Sequence, residues 1–485
     1  MRRVFSTVSL AKPFTSIPGP RTLPVIGALP DLVRFHDKMN QLTSKWNSEF
    51  GEIVRVKMPS GRDEVFLFDA EAILQVFRMN QKDSLRPQID FWAKWRSERD
   101  IPLGVTMTNG EEWKRQRRTV GQLLNADVVD SFVSDGSRIA HEWIRDLEQG
   151  MEDGKVKNIH PKSCLFTGET FSYFLLAARL GLVSPSTAKQ DKLSMDFVNA
   201  VARFLQVSGQ MLFNPLWRFI PTNVYREFLD LSDKTFDLAQ KIIDRHQDGS
   251  TQEQVQFTPF LKTVRESPDL TPKEITAMSV DLIAAGVDTT ANALTMVLYT
   301  IASRPDVQQD IVKELIQVVG KERVVSGELV LNAEEWRNLR FLKAAVTEAL
   351  RLRPVISYSS RILKTDTALL GYHIPKDTYV HLSFYTASRS PHNFGPEAQD
   401  FNPYSEKDKG GLRQATSTFG AGARMCPGKR VALMEIEVAL AQLLSKYILK
   451  VEEIPKMKNA LFNTVDIDPN NSKHWIQFET RVHGE

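Results

Sequence analysis

The chain has 485 residues, roughly three times the ~150 that suggest one domain, and its 42% hydrophobic and 25% charged residues describe a folded globular protein, not a disordered or fibrous one. Sixty-two basic and 59 acidic side chains leave a formal charge of +3, so no large basic field invites nucleic acid. Two cysteines, Cys164 and Cys426, exclude a disulfide scaffold and a zinc site made of cysteine pairs, and they point to a reducing compartment.

Met1 to Pro30 carry Arg2, Arg3, Lys12 and Arg21, several serines and threonines, and no acid; the first is Asp31. That is the composition of a mitochondrial transit peptide, placed at residues 1–16, with 17–485 as a single domain. The longest uncharged stretch there, Val4 to Ala11, falls far below the ~20 apolar residues of a spanning helix, so no transmembrane anchor is expected at this end. Ile17-Pro18-Gly19-Pro20, with Pro24 and Gly27, reads as a stiff connector.

Strands are expected early, over Ile53–Val56 and Glu64–Phe68. Helical periodicity then dominates from Glu111 to Val319 and returns from Pro427 to Leu449. After Pro354, strands are expected at Arg361–Leu363, Leu369–Tyr372 and Tyr379–Phe384, punctuated by Gly371 and Pro375. Asp248–Glu253 and Glu406–Gln414 read as surface loops within one unit. The fold class is mainly α with a smaller β-rich region.

One helix is marked at both ends. Thr271-Pro272-Lys273-Glu274 forms a capping box with proline at the first helical position, and Arg304-Pro305 ends the pattern. About 32 residues at ~1.5 Å each give roughly 48 Å, enough to cross the molecule. Gly286, at its middle, costs ~1 kcal/mol against alanine. Close approach by a flat ligand or by a neighbouring helix would each favour it.

Most standard chemistries fail. His141-Glu142 opens like a metalloprotease helix, but Arg145 holds the second histidine position, and the nine histidines show no other ligand spacing. Gly422 to Gly428-Lys429 has its glycines one residue too far apart for a phosphate loop, with Arg430 where Ser or Thr is required. Gly420-Ala421-Gly422 meets Met425 where a dinucleotide fingerprint needs its third glycine.

What remains is Phe419-Gly420-Ala421-Gly422-Ala423-Arg424-Met425-Cys426-Pro427-Gly428. Cys426 sits at a helix N-terminus, where the dipole and free N–H groups favour thiolate. The upstream glycines keep the loop thin enough for a planar group, and Gly428 lets the chain leave the sulfur without a side-chain clash. Such a thiolate can ligate iron and favour O–O cleavage.

At these residues the sequence resembles the cytochrome P-450 superfamily of haem-thiolate monooxygenases. Phe419, Gly422, Arg424, Cys426 and Gly428 fit its F-x-x-G-x-R-x-C-x-G loop. Glu348-Ala349-Leu350-Arg351 matches its E-x-x-R. Ala285 to Thr290 matches its oxygen-activation segment, and Trp113 to Arg117 its W-x-x-x-R, in the family's order. The resemblance implies a P-450 fold with haem b between the long central helix and the cysteine loop. It makes Cys426 the iron ligand and Trp113, Arg117, Arg361 and Arg424 the partners of the propionates. Glu348 and Arg351 become a bracing pair, although Ser405 stands where a further arginine is usual; Arg413 is the nearest substitute. Asp288 and Thr289 become an acid–alcohol pair that moves protons, and Thr289 can bond back to the Ala285 carbonyl. The threonine separates a monooxygenase from a haem-thiolate isomerase or dehydratase, which typically lacks it. A non-catalytic haem sensor would need neither that pair nor a reductant-docking face.

The leader points to the family's mitochondrial branch, implying O2, a ferredoxin and its flavoprotein reductase as partners, and a matrix-side location at the inner membrane. Lys343, about 140° round its helix from Glu348, joins Lys429 and Arg430 as a ferredoxin-docking patch. The branch usually carries lysine where this chain has Thr347. Phe197 to Ile220, rich in aromatic and aliphatic residues, is expected to lid the substrate channel and touch a membrane surface. Ala285, Val355, Leu461 and Phe462 are expected to line a pocket for a lipophilic guest: a sterol, steroid or secosteroid.

Overall fold

The computed structural model describes residues 11–36, 38–79, 84–183, 190–212, 215–246, 269–404, 416–458 and 462–482. The proposed leader up to residue 10, the loops around 248–253 and 406–414, and Ser405, Arg413 and Leu461 lie outside them.

The β-rich region is a four-stranded sheet with the order Ile53–Lys57, Asp63–Leu67, Tyr379–Ser383, Tyr358–Ile362. Its inner pair is parallel and the two outer pairs are antiparallel. Side-chain alternation gives it two buried faces. Ile53, Val65, Leu67, Val380 and Leu382 pack on the helix Ala70–Met79. Val54, Val56 and Phe66 pack on Leu42 and Trp46 of the helix Met39–Phe50. The expected strand over Leu369–Tyr372 is instead the turn of a hairpin between Thr367–Leu369 and Tyr372–Ile374. Leu370 and Gly371 take φ of 49° and 79°, and this left-handed pair reverses the chain. Lys12 joins this hairpin: its N–H donates to the Gly371 carbonyl at 2.9 Å, and its own carbonyl accepts from His373 N–H at 2.9 Å.

The central helix spans Pro272–Ala302, with the full capping box formed by Thr271 and Glu274. Its 31 residues measure about 46 Å. It is apolar and long enough to cross a membrane, but most of it is buried in this fold. It runs along the helix His160–Leu176, which is buried from Ser163 onward. The helix Lys429–Lys446 is buried on every side from Met434 to Ser445, which explains its weak amphipathic pattern.

Candidate active site

The cysteine loop is held by its own backbone. The Cys426 N–H donates to the Phe419 carbonyl at 2.9 Å, Met425 to Gly422 at 3.0 Å, and Gly420 to Ser417 at 2.8 Å. Gly420 and Gly422 take φ of 67° and 69°, and a Cβ on Gly422 would lie 3.2 Å from the Phe77 carbonyl oxygen. Only glycine meets both demands at Gly422. Gly428 differs: its φ is −80°, and a Cβ there would stand 3.9 Å from the Cys426 sulfur, an ordinary contact. The chain alone does not require glycine at that position.

Cys426 keeps a partly accessible surface although it lies deep in the protein, as a side chain lining an internal space does. Burial pushes its thiol pKa up, against the expectation from the helix dipole. The N–H groups of Gly428 and Lys429, with Arg117 and Arg86, pull it down but do not overcome burial. A coordinated metal deprotonates such a thiol outright.

Around the cysteine loop four guanidinium groups converge: Arg86 and Arg117 act on the sulfur, and Arg361 and Arg424 face Arg86. Arg424 stacks on Trp113 with its Cζ 3.8 Å from the ring centre. It donates to the Ser84 carbonyl (3.0 Å), the Thr108 carbonyl (2.9 Å) and Asn109 Oδ1 (2.8 Å). Arg361 donates to Ser359 Oγ at 2.8 Å and the Ser360 carbonyl at 2.9 Å, leaving its Nη2 buried and unbonded. Arg86 donates to the Arg424 carbonyl at 3.0 Å, and its Nε is likewise buried without a partner. Among the described residues, no carboxylate pairs with Arg86, Arg361 or Arg424. Burial and mutual repulsion therefore lower the pKa of Arg86 to about 10 and of Arg424 to about 9, and hold Arg361 well below its ordinary value. Burial also lowers Arg117, with the Cys426 sulfur opposing. Buried like charges this close require a compensating anion. A flat macrocycle bearing two carboxylates fits this lining: the sulfur would hold its metal, and the free N–H groups of Arg361 and Arg86 would take its acid side chains. Nothing in the sequence singled out Arg86; it reaches the cluster only through tertiary folding.

Glu348 and Arg351 are both buried and meet in a two-pronged pair, Nε–Oε2 and Nη2–Oε1 each 2.8 Å. Arg351 also donates to the carbonyls of Ser388, Ala398 (2.7 Å) and Asp400 (3.1 Å), while Glu348 accepts the Asn402 N–H at 3.1 Å. Backbone groups of 388–402 are thus tied to this pair.

On the central helix, Ala285 is exposed and Thr289 half-buried although Val287, Asp288 and Thr290 around them are buried, so one stripe of the helix faces unfilled space. The Thr289 hydroxyl donates to the Ala285 carbonyl at 2.6 Å. Gly286 is accounted for by helix packing: a Cβ there would overlap the Phe171 ring at 2.3–2.6 Å. Asp288 points away from Thr289. Its Oδ2 accepts from Asn292 Nδ2 at 2.9 Å, and its Oδ1 lies 3.7 Å from His160 Nε2. His160 and Cys164, one helical turn apart, form with Asp288 a compact group that histidine spacing does not reveal, because one member is a cysteine and another comes from a helix remote in sequence.

Among the expected pocket residues, Ala285 lies on the open stripe, Val355 is buried and Phe462 half-buried. The Asn463 N–H donates to the Val355 carbonyl at 2.7 Å and its side chain to Ser357 Oγ at 2.6 Å, joining the two pocket segments. Among the basic residues, Arg430 is exposed. Lys429 is half-buried with its Nζ 5.9 Å from the Phe419 ring centre, and Lys343 lies 4.2 Å over the Trp336 ring. Of Phe197 to Ile220, Phe197, Leu205 and Met211 are core, whereas Leu216, Arg218, Phe219 and Ile220 are exposed.

The family model described as Cytochrome P450 matches residues 17–472. Cytochrome P450 10 of Lymnaea stagnalis is 26% identical over 452 residues, covering 90% of this chain and 81% of its own length. A mitochondrial 1,25-dihydroxyvitamin D(3) 24-hydroxylase of Mus musculus is 27% identical over 448 residues (89% and 83%). A mitochondrial sterol 26-hydroxylase of the same species is 28% identical over 422 residues (83% and 76%).

Proposed function

Because the chain belongs to the cytochrome P450 family, whose members are haem-thiolate monooxygenases, we propose that it hydroxylates a sterol or secosteroid in the mitochondrion with electrons from a ferredoxin. The observation that carries the site assignment is the cluster of Arg86, Arg117, Arg361 and Arg424 around the Cys426 loop, with no carboxylate among the described residues on Arg86, Arg361 or Arg424. In this reading Cys426 ligates haem iron, and Arg86, Arg117, Arg361 and Arg424 hold the propionates, with Trp113 stacked beneath Arg424. When bound, haem supplies oxygen activation and cleavage of the O–O bond.

The chain's own part is to position and to deliver protons. The Thr289 hydroxyl gives its hydrogen to the Ala285 carbonyl, so its oxygen lone pairs stay available to hold a water on the open stripe. Protons move through that water at Thr289 Oγ1; Asp288, turned toward Asn292 and His160, takes no part in that relay. Thr289→Ala is expected to keep haem loading and to lower product formed per O2 consumed severalfold, the difference appearing as hydrogen peroxide. Unchanged coupling would remove Thr289 from the relay.

The relatives named for vitamin D and sterol substrates support a rigid, lipophilic guest, and the apolar Val355 and Phe462 suit one. Leu216, Phe219 and Ile220, exposed around Arg218, suit contact with a membrane surface. The docked Lys12 supports a leader that ends before it, shorter than residues 1–16. Arg430, exposed, with Lys429 beside it, presents positive charge toward an acidic ferredoxin. Reconstitution with a mitochondrial ferredoxin and its reductase tests the proposal. Sterols or secosteroids are expected to shift the haem spin state and be hydroxylated, and turnover should slow as salt rises. Turnover that ignores salt would remove the docking patch; no shift with any such compound would remove the substrate class.

A further inference from the structure

His160, Cys164 and Asp288 play no part in holding haem, yet their ligand atoms all lie within 4.8 Å of one another. The geometry points to a zinc-binding site formed by His160 Nε2, Cys164 Sγ and an Asp288 carboxylate oxygen, with water as the fourth ligand. This assignment is independent of the substrate and of the electron donor.

Tetrahedral zinc with Zn–S of about 2.3 Å and Zn–N of about 2.0–2.1 Å separates the sulfur and nitrogen by roughly 3.6 Å. The Cys164 Sγ to His160 Nε2 distance is 3.6 Å. The corresponding N–O separation is roughly 3.3 Å; His160 Nε2 to Asp288 Oδ1 is 3.7 Å, a few tenths of an ångström longer, and the sulfur and carboxylate oxygen lie within 4.8 Å of each other. Two ligands stand four residues apart on one helix face, and the third comes from the central helix packed against it.

The outer contacts suit the same use. The other ring nitrogen of His160 lies 3.4 Å from the Thr295 hydroxyl, which donates to the Ala291 carbonyl at 2.7 Å. The second oxygen of Asp288 is held by Asn292 Nδ2 at 2.9 Å. Such contacts fix ring and carboxylate orientation around a metal. Cys164 and Asp288 are each 4% exposed, whereas a quarter of the His160 side chain is accessible and gives an entry path.

The test uses the haem-loaded full chain, in which Cys426 is engaged by iron, titrated with Zn2+ in a phosphine reductant that does not chelate it. Wild type is expected to retain one zinc that His160→Ala and Cys164→Ser each bind at least about tenfold more weakly. X-ray absorption at the zinc edge should show one sulfur at about 2.3 Å with nitrogen and oxygen at about 2.0 Å. Both variants should keep the wild-type haem spectrum, which separates lost binding from lost folding. Equal zinc affinity in wild type and Cys164→Ser, or a zinc shell without sulfur, would overturn the site.

Discussion

Glu348→Ala is expected to give a protein that incorporates no haem. The substitution leaves the Arg351 guanidinium buried and charged with only the carbonyls of Ser388, Ala398 and Asp400 to face, and frees the Asn402 N–H. Removing one member of a buried ion pair costs about 3–5 kcal/mol, a large part of the ~5–15 kcal/mol that keeps a domain folded. The cost falls on residues 388–402, which lead toward the cysteine loop. Soret absorbance per protein measures the outcome. Replacing both partners with apolar residues of similar volume should be less damaging than the single change, because no charge is stranded. Normal loading of Glu348→Ala would refute the bracing role.

Cys426→Ser is expected to abolish the strongly red-shifted Soret band of the reduced, carbon monoxide-treated protein. A serine hydroxyl is a far weaker acid than a thiol, so the N–H groups of Gly428 and Lys429 that favour a sulfur anion cannot make an alkoxide there. Cys164 cannot substitute, because it lies on the helix His160–Leu176 with its sulfur 3.6 Å from His160 Nε2. Cys164→Ser should therefore keep the band, and a Cys426→Ser protein that retained it would displace Cys426 as the ligand.

What the sequence disclosed follows the range of the forces involved. The central helix was legible because its capping box and terminal proline act within one turn. The cysteine loop was legible because Gly422 answers to a local φ as well as to Phe77. The Glu348–Arg351 pair needed only helical spacing. The hairpin at Leu370 was misplaced because leucine does not advertise a left-handed conformation. The cause of Gly286 was undecidable without Phe171, a ring 115 positions away on a neighbouring helix. The Cys426 pKa reversed because burial, a property of the whole fold, outweighs the dipole of one helix. Arg86 and the His160 group were invisible for the same reason: each acquires its chemistry from segments that meet only in three dimensions.

The convergence of Arg86, Arg117, Arg361 and Arg424 also sets the order of assembly. A nascent polypeptide that gathers these side chains before the porphyrin dianion arrives works against their repulsion, and the cheaper arrangement leaves them splayed toward water. The pigment therefore serves as a template for closing this seam of the protein. Chains folded without porphyrin are therefore expected to leave this seam less tightly closed than the loaded protein.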